Sequence, residues 1–263
     1  MILTTRVGAV GLDEAGSGTP LLLLHGFPHD RTLWAAQLAA PPAGARVIAV
    51  DLPGFGESAS AAVPSLDAWA DWVVAVLDAL ALERAVIGGL SMGGYLAFAL
   101  WRRHPSRVQG LVLADTRAGA DSDETRMKRV SMQATVVTSG AGAISEAMLP
   151  GMVGKTTRET RPQVVAFLDG MMRRARVGAI HDALDAMRTR PDSGPTLATI
   201  TVPTLIICGE EDSLTPVKES EAMHAVIAGS QLAIIPTAGH ASCLEHPAAF
   251  TALLSGFLQA RFP

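Results

Sequence analysis

The stretch of this 263-residue chain best suited to covalent chemistry is Gly89-Leu90-Ser91-Met92-Gly93, set between the apolar run 85–87 and a segment of helical period over 92–104. A serine forced onto a sharp strand-to-helix turn needs residues without side chains two places before and after it, because neighbouring backbone passes too close for a Cβ. Gly89 and Gly93 meet that need, which makes Ser91 the expected nucleophile. A phosphate-binding glycine loop is the rival reading, but the Walker lysine is absent and the spacing is not G-x-G-x-x-G.

A serine hydroxyl is a weak nucleophile until a base takes its proton, so an imidazole and an orienting acid must be found. Seven histidines compete. His240 follows the apolar run 232–235 through Pro236-Thr237-Ala238-Gly239, beyond the carboxyl end of a strand, where α/β sheets build their sites. His25 also ends a strand, but the adjacent Gly26-Phe27-Pro28 suggests a different task. His104 and His246 precede prolines at helix boundaries, and His29, His181 and His224 read as surface residues. For the acid, Asp212 in Gly209-Glu210-Glu211-Asp212 is preferred to Asp115 at the end of the run 111–114. Ser91, Asp212, His240 gives the chain order nucleophile, acid, base that goes with such a turn. Glu210 and Glu211 read as solvated. Two backbone N–H groups should hold the oxyanion of acyl transfer, and Phe27 and Met92 occupy those positions. This chemistry needs neither metal nor organic cofactor.

The elements that must carry these residues are legible in the hydrophobic pattern. Apolar runs at 21–24, 47–50, 85–87, 111–114, 205–208 and 232–235 read as strands buried on both faces, as in a parallel sheet. They alternate with helical-period segments at 32–40, 65–81, 92–104, 217–227 and 247–260, which predicts an α/β fold with a mostly parallel central sheet flanked by helices. Residues 2–7 and 9–13 flank Gly8 as an antiparallel edge hairpin.

The alternation stops over residues 117–195, where helices at 123–138, 143–149, 158–174 and 178–188 follow one another without a strand. The division is therefore a core of 1–116 and 196–263 with a helical cap, or lid, of 117–195 inserted late in the sheet. Seven of the ten methionines fall in the insertion, either as core filling or as a deformable surface toward substrate. It also holds twelve Lys and Arg against nine Asp and Glu in a chain of net charge -4. Arg173, Arg174 and Arg176 are the candidates there to pair with a substrate carboxylate, against the plainer reading that they are solvated.

An acidic chain offers no footprint for nucleic acid. Cys208 and Cys243 stand in no disulfide or zinc-ligand spacing, and neither a signal peptide nor a long apolar span is read, so a cytoplasmic protein without a membrane partner is expected. The oligomeric state is not readable.

Taken together, His25-Gly26-Phe27-Pro28, Asp51-Leu52-Pro53-Gly54-Phe55-Gly56-Glu57-Ser58, Gly89-Leu90-Ser91-Met92-Gly93-Gly94, Gly209-Glu210-Glu211-Asp212 and Gly239-His240 resemble the α/β-hydrolase family in order and spacing. The H-G-F-P segment is similar to that of epoxide hydrolases and haloalkane dehalogenases, but those use an aspartate nucleophile where this chain has Ser91. Among serine members, Leu113-Ala114-Asp115-Thr116-Arg117-Ala118 and the helical cap look most like 3-oxoadipate enol-lactonases and related carboxylesterases. That resemblance implies cleavage of a small-molecule ester or lactone. A cofactor-free haloperoxidase or perhydrolase shares the triad, and a ligand receptor could retain it without turnover.

Overall fold

The computed structural model describes residues 1–262. Eight strands form one sheet in the order β1-β2-β4-β3-β5-β6-β7-β8. They are β1 (Ile2–Thr5), β2 (Gly8–Gly16), β3 (Thr19–Leu24), β4 (Ala45–Val50), β5 (Ala85–Leu90), β6 (Val108–Ala114), β7 (Thr204–Gly209) and β8 (Gln231–Ile235). The first two form the expected antiparallel hairpin, with Thr5 opposite Gly8, and β2 continues antiparallel onto β4. From β4 onward every pairing is parallel.

Alternation along each strand sends side chains to two cores. Leu22, Leu24, Ile48, Val50, Ile87 and Leu113 face one side, while Leu21, Leu23, Val47, Ala49, Val86 and Val112 face the other. The helices, in chain order, are α1 (Ala35–Ala39), α2 (Leu66–Ala79), α3 (Met92–Arg103), α4 (Asp123–Met152), α5 (Lys155–Thr160), α6 (Pro162–Arg173), α7 (Val177–Arg188), α8 (Gly194–Leu197), α9 (Val217–Val226), α10 (Ser242–Glu245) and α11 (Pro247–Arg261). Helices α2 and α3 cover the first face with Trp69, Trp72 and Phe98. The second is covered by Trp34, in a 3-10 turn before α1, and by Phe250, Leu254 and Phe257 of α11.

Helices α4 to α8 all lie between β6 and β7. Their boundaries differ from the sequence pattern where single residues interrupt it. Gly140 takes φ 74°, outside helical space, and breaks α4 in two between the two helices anticipated there. A proline disfavours helical backbone in the residue before it. Arg161, before Pro162, takes φ -134° and ψ 66°, which divides the single helix expected over 158–174 into α5 and α6.

The arginines weighed as partners for a substrate carboxylate, against the plainer solvated reading, fasten these helices. Arg174 donates to Asp30 Oδ2 at 2.7 Å and to Oδ1 at 3.0 Å, joining the inserted helices to the loop after β3. Arg176 donates to the carbonyls of Gly54 at 2.6 Å and Ser58 at 2.5 Å, in the loop after β4. Arg173 pairs with Asp169 and Glu146 within the insertion. Their donors are engaged by protein, which leaves the substrate-facing alternative without support in these three residues.

Candidate active site

Strand β5 ends at Leu90, and α3 begins at Met92, so the chain turns on Ser91 alone. Ser91 sits at φ 54° and ψ -112°, a sparsely populated backbone for a residue with a Cβ. Its own N–H donates to the Ala114 carbonyl at 2.9 Å, and its carbonyl accepts from Thr116 Oγ1 at 2.8 Å, so β6 and the residues after it hold the turn. A Cβ on Gly89 would lie 2.2 Å from the Gly93 carbonyl, and one on Gly93 would lie 2.2 Å from the Leu24 carbonyl. Gly94 is equally constrained, since a Cβ there would meet Thr116 Oγ1 at 2.4 Å.

His240 sits in the loop after β8 and is buried. Its Nδ1 meets Asp212 Oδ2 at 2.8 Å and Thr215 Oγ1 at 3.3 Å, which leaves Nε2 for a partner in the cavity that the residue lines. Every lone-pair direction of Asp212 is engaged. Its Oδ1 accepts from the N–H of Leu214 at 2.8 Å and of Thr215 at 3.0 Å, and its Oδ2 also accepts from Thr215 Oγ1 at 2.7 Å. Burial works against the charged Asp212, but the His240 ring and the Thr215 donors hold its carboxyl below the usual range. Burial likewise works against a charged His240, and the Asp212 carboxylate outweighs it, raising the ring above its ordinary value. Thr215, three residues beyond Asp212, carries no motif that would have singled it out in the sequence.

Asp115 does not bond the imidazole. Its oxygens accept from Gly209 N at 2.8 Å and from the Ser242 hydroxyl. Burial, reinforced by the neighbouring Asp212 charge, pushes its carboxyl well above the usual range. The donor atoms of Asp115, Cys208 and Asp212 lie within 4.8 Å of one another. The carboxylate oxygens already accept N–H and O–H groups, and burial pushes the Cys208 thiol up, so the chemistry of this set does not suit a metal.

His25 has a structural task. Its Nδ1 meets the Gly26 carbonyl at 2.7 Å and its Nε2 accepts from Leu52 N at 3.0 Å, tying the loop after β3 to the loop after β4. No hydrogen bond uses the N–H of Phe27 in this loop or of Met92 at the start of α3. Both are available as oxyanion donors.

One reading is corrected by burial. His29, taken as a surface residue, is buried with neither ring nitrogen hydrogen-bonded; burial, with His25 and His240 nearby, lowers it to about 3. Glu210 is exposed, as read, and accepts from Thr237 N at 3.1 Å, while the part-buried Glu211 also accepts from Thr156 N at 2.8 Å and Thr156 Oγ1 at 2.6 Å.

Ser91 and His240 open into a cavity of about 490 Å³ together with Phe27 and Thr215. Met132, Met148, Met152 and Met187 line it from the inserted helices, whereas Met171 and Met172 are packed in the core and Met127 is exposed. Four of the seven methionines thus form a soft apolar wall. A second wall is basic, with Arg117, Lys128 and Arg129. Arg117 and Arg129 both pair with the buried Asp121, as does Arg190, whose guanidinium lies 4.0 Å over the Tyr95 ring. Three guanidiniums around one carboxylate leave a surplus of positive charge.

A mostly parallel sheet, a strained serine between strand and helix, and a histidine and acid on later strand ends define a hydrolase architecture. The sequence profile described as alpha/beta hydrolase fold matches residues 19–247, and the chain belongs to that family. It is 37% identical to a thermophilic esterase from Thermogutta terrifontis, covering 100% of this chain and 99% of that one with a TM-score of 0.95. An enol-lactonase from Burkholderia xenovorans LB400 superposes with a TM-score of 0.90 at 26% identity, over 98% of this chain and 100% of that one. A pimeloyl-[acyl-carrier protein] methyl ester esterase of Neisseria meningitidis serogroup A is 32% identical, over 90% of this chain and 76% of that protein. Among the described residues, no helix is long and apolar enough to cross a membrane.

Proposed function

We propose that the chain is a serine hydrolase cleaving carboxylic esters or lactones of small molecules through an acyl-enzyme on Ser91. The observation that carries this reading is the bond from His240 Nδ1 to Asp212, which leaves Nε2 for the cavity where Ser91 lies. His240 takes the Ser91 proton as Oγ attacks the carbonyl, and the oxyanion is held by the N–H groups of Phe27 and Met92. The imidazolium then protonates the leaving alcohol, and the neutral ring activates water to release the acid. Residues 117–195 act as the cap over a core of 1–116 and 196–263.

The raised His240 sets the pH dependence. The base works as the neutral ring, so kcat/KM falls as pH drops through a value above the ordinary imidazole pKa of about 6.5. A pH profile on a p-nitrophenyl ester checks this, and a limb at or below the ordinary value would contradict it.

The basic wall extends the proposal to substrate charge. Esters or lactones bearing a carboxylate are preferred, with that group toward Arg117 and Arg129, and the Thermogutta terrifontis esterase was determined with malate, a dicarboxylate, bound. A charge-assisted hydrogen bond is worth about 1.5 kcal/mol or more, so the acid-bearing ester should exceed its methyl-capped analogue by about tenfold in kcat/KM. The gap should narrow as salt is added. Equal or better turnover of the neutral analogue at low ionic strength would leave a general carboxylesterase.

A further inference from the structure

The two peptide N–H groups that flank His240 end on a single oxygen. Glu245 Oε1 accepts from Gly239 N at 2.8 Å and from Ala241 N at 3.2 Å. Its other oxygen, Oε2, accepts from Gly154 N at 2.8 Å, at the junction of α4 and α5 in the inserted helices. Glu245 is fully buried, and all three partners are main-chain donors, so both carboxylate oxygens are used as acceptors. Its own carbonyl accepts from Arg161 at the end of α5. The backbones it joins are in direct contact, since a Cβ on Gly239 would lie 2.0 Å from Gly154 N.

We infer that Glu245 is the positioning residue that fixes the main chain on either side of His240 and ties that placement to the inserted helices at Gly154. Asp212 orients the ring, and Glu245 sets where the ring is mounted. A displacement of the α4–α5 junction therefore reaches His240 through this side chain and the adjoining Gly154–Gly239 contact rather than through a long packed path. The carboxylate also stands among the charges around the ring. Asp212 faces Nδ1, Asp115 approaches from the end of β6, Glu245 comes from α10, and the neutral His29 comes from the loop after β3. Removing the Glu245 charge thus withdraws one of the groups that favour the imidazolium.

The inference rests on His240 serving as the base. The test compares Glu245→Gln with His240→Ala and the unaltered enzyme on one p-nitrophenyl ester. Gln keeps the volume and can still accept, but it loses the charge and cannot accept on both ends. Misplacement of a reacting group by about 1 Å costs on the order of 10²-fold. Glu245→Gln should lose roughly ten- to a hundredfold in kcat with KM little changed, and the acid limb of kcat/KM should move to lower pH. Wild-type kcat with an unmoved limb would overturn the inference while His240→Ala remains inactive. An active His240→Ala would instead overturn the assignment of the base.

If Glu245→Gln does not fold, the wild-type chain answers through amide exchange. Exchange at Gly154, Gly239 and Ala241 should change together when a fluorophosphonate occupies Ser91. A change at Gly154 with none at Gly239 and Ala241 would rule out the link.

Discussion

Ser91→Ala is expected to lose ester turnover by roughly 10⁴-fold or more, in line with the cost of removing a nucleophile from a triad that acts as a unit. The fold should be unaffected. The turn at Ser91 is held by main-chain bonds to Ala114 and Thr116 and by the close approaches at Gly89, Gly93 and Gly94, none of which uses the hydroxyl. Alanine takes the same φ of 54° with no larger steric cost than serine. The check is a steady-state rate beside a thermal melt and fluorophosphonate labelling. Near-normal turnover by a variant of unchanged Tm would refute Ser91 as nucleophile.

Asp212→Asn and Asp115→Asn should separate by orders of magnitude. An amide at 212 presents either a donor to Nδ1 or an oxygen without the charge, so the ring loses the tautomer and the stabilisation it needs, at a cost on the order of 10⁴ in kcat. Asp115 is different in kind. Burial and the Asp212 charge already favour its neutral form, and its partners are Gly209 N and Ser242 rather than the imidazole. An amide there keeps the shape and touches no atom of the imidazole, and a far smaller loss follows. Rates for the two variants on one substrate decide the assignment, and the reverse ranking would transfer the acid role to Asp115.

How much of this was legible depended on whether a residue's role is set by its neighbours in sequence. The strands announced themselves because both faces are buried, so Leu21 to Leu24 or Leu205 to Cys208 could be nothing but apolar. The turn at Ser91 was legible because its backbone makes a local demand for glycine, and the loop positions of His240 and Asp212 because each follows a strand within a few residues. The tie of Arg174 was not legible because its partner Asp30 is 144 positions away, and no periodicity records such a pairing. His29 failed for the same reason, since a polar residue in a loop looks the same whether water or another loop covers it. Thr215 and Glu245 act through backbone or through another side chain and leave no pattern of their own.

The wall that surrounds the serine also decides how molecules come and go. Arg174 and Arg176 close the side of the inserted helices that faces the loops after β3 and β4. Of the cavity-lining side chains, Lys128 is 69% exposed, and Leu214 also stands in solvent. The cavity therefore opens between the first half of α4 and the loop after β7, where Lys128 pairs with Glu124 at 2.7 Å. On the proposed mechanism, the three guanidiniums around Asp121 draw anionic reactants inward, and an anionic acid product leaves against the same field. Each cycle of that mechanism that releases a carboxylic acid carries this asymmetry between arrival and departure.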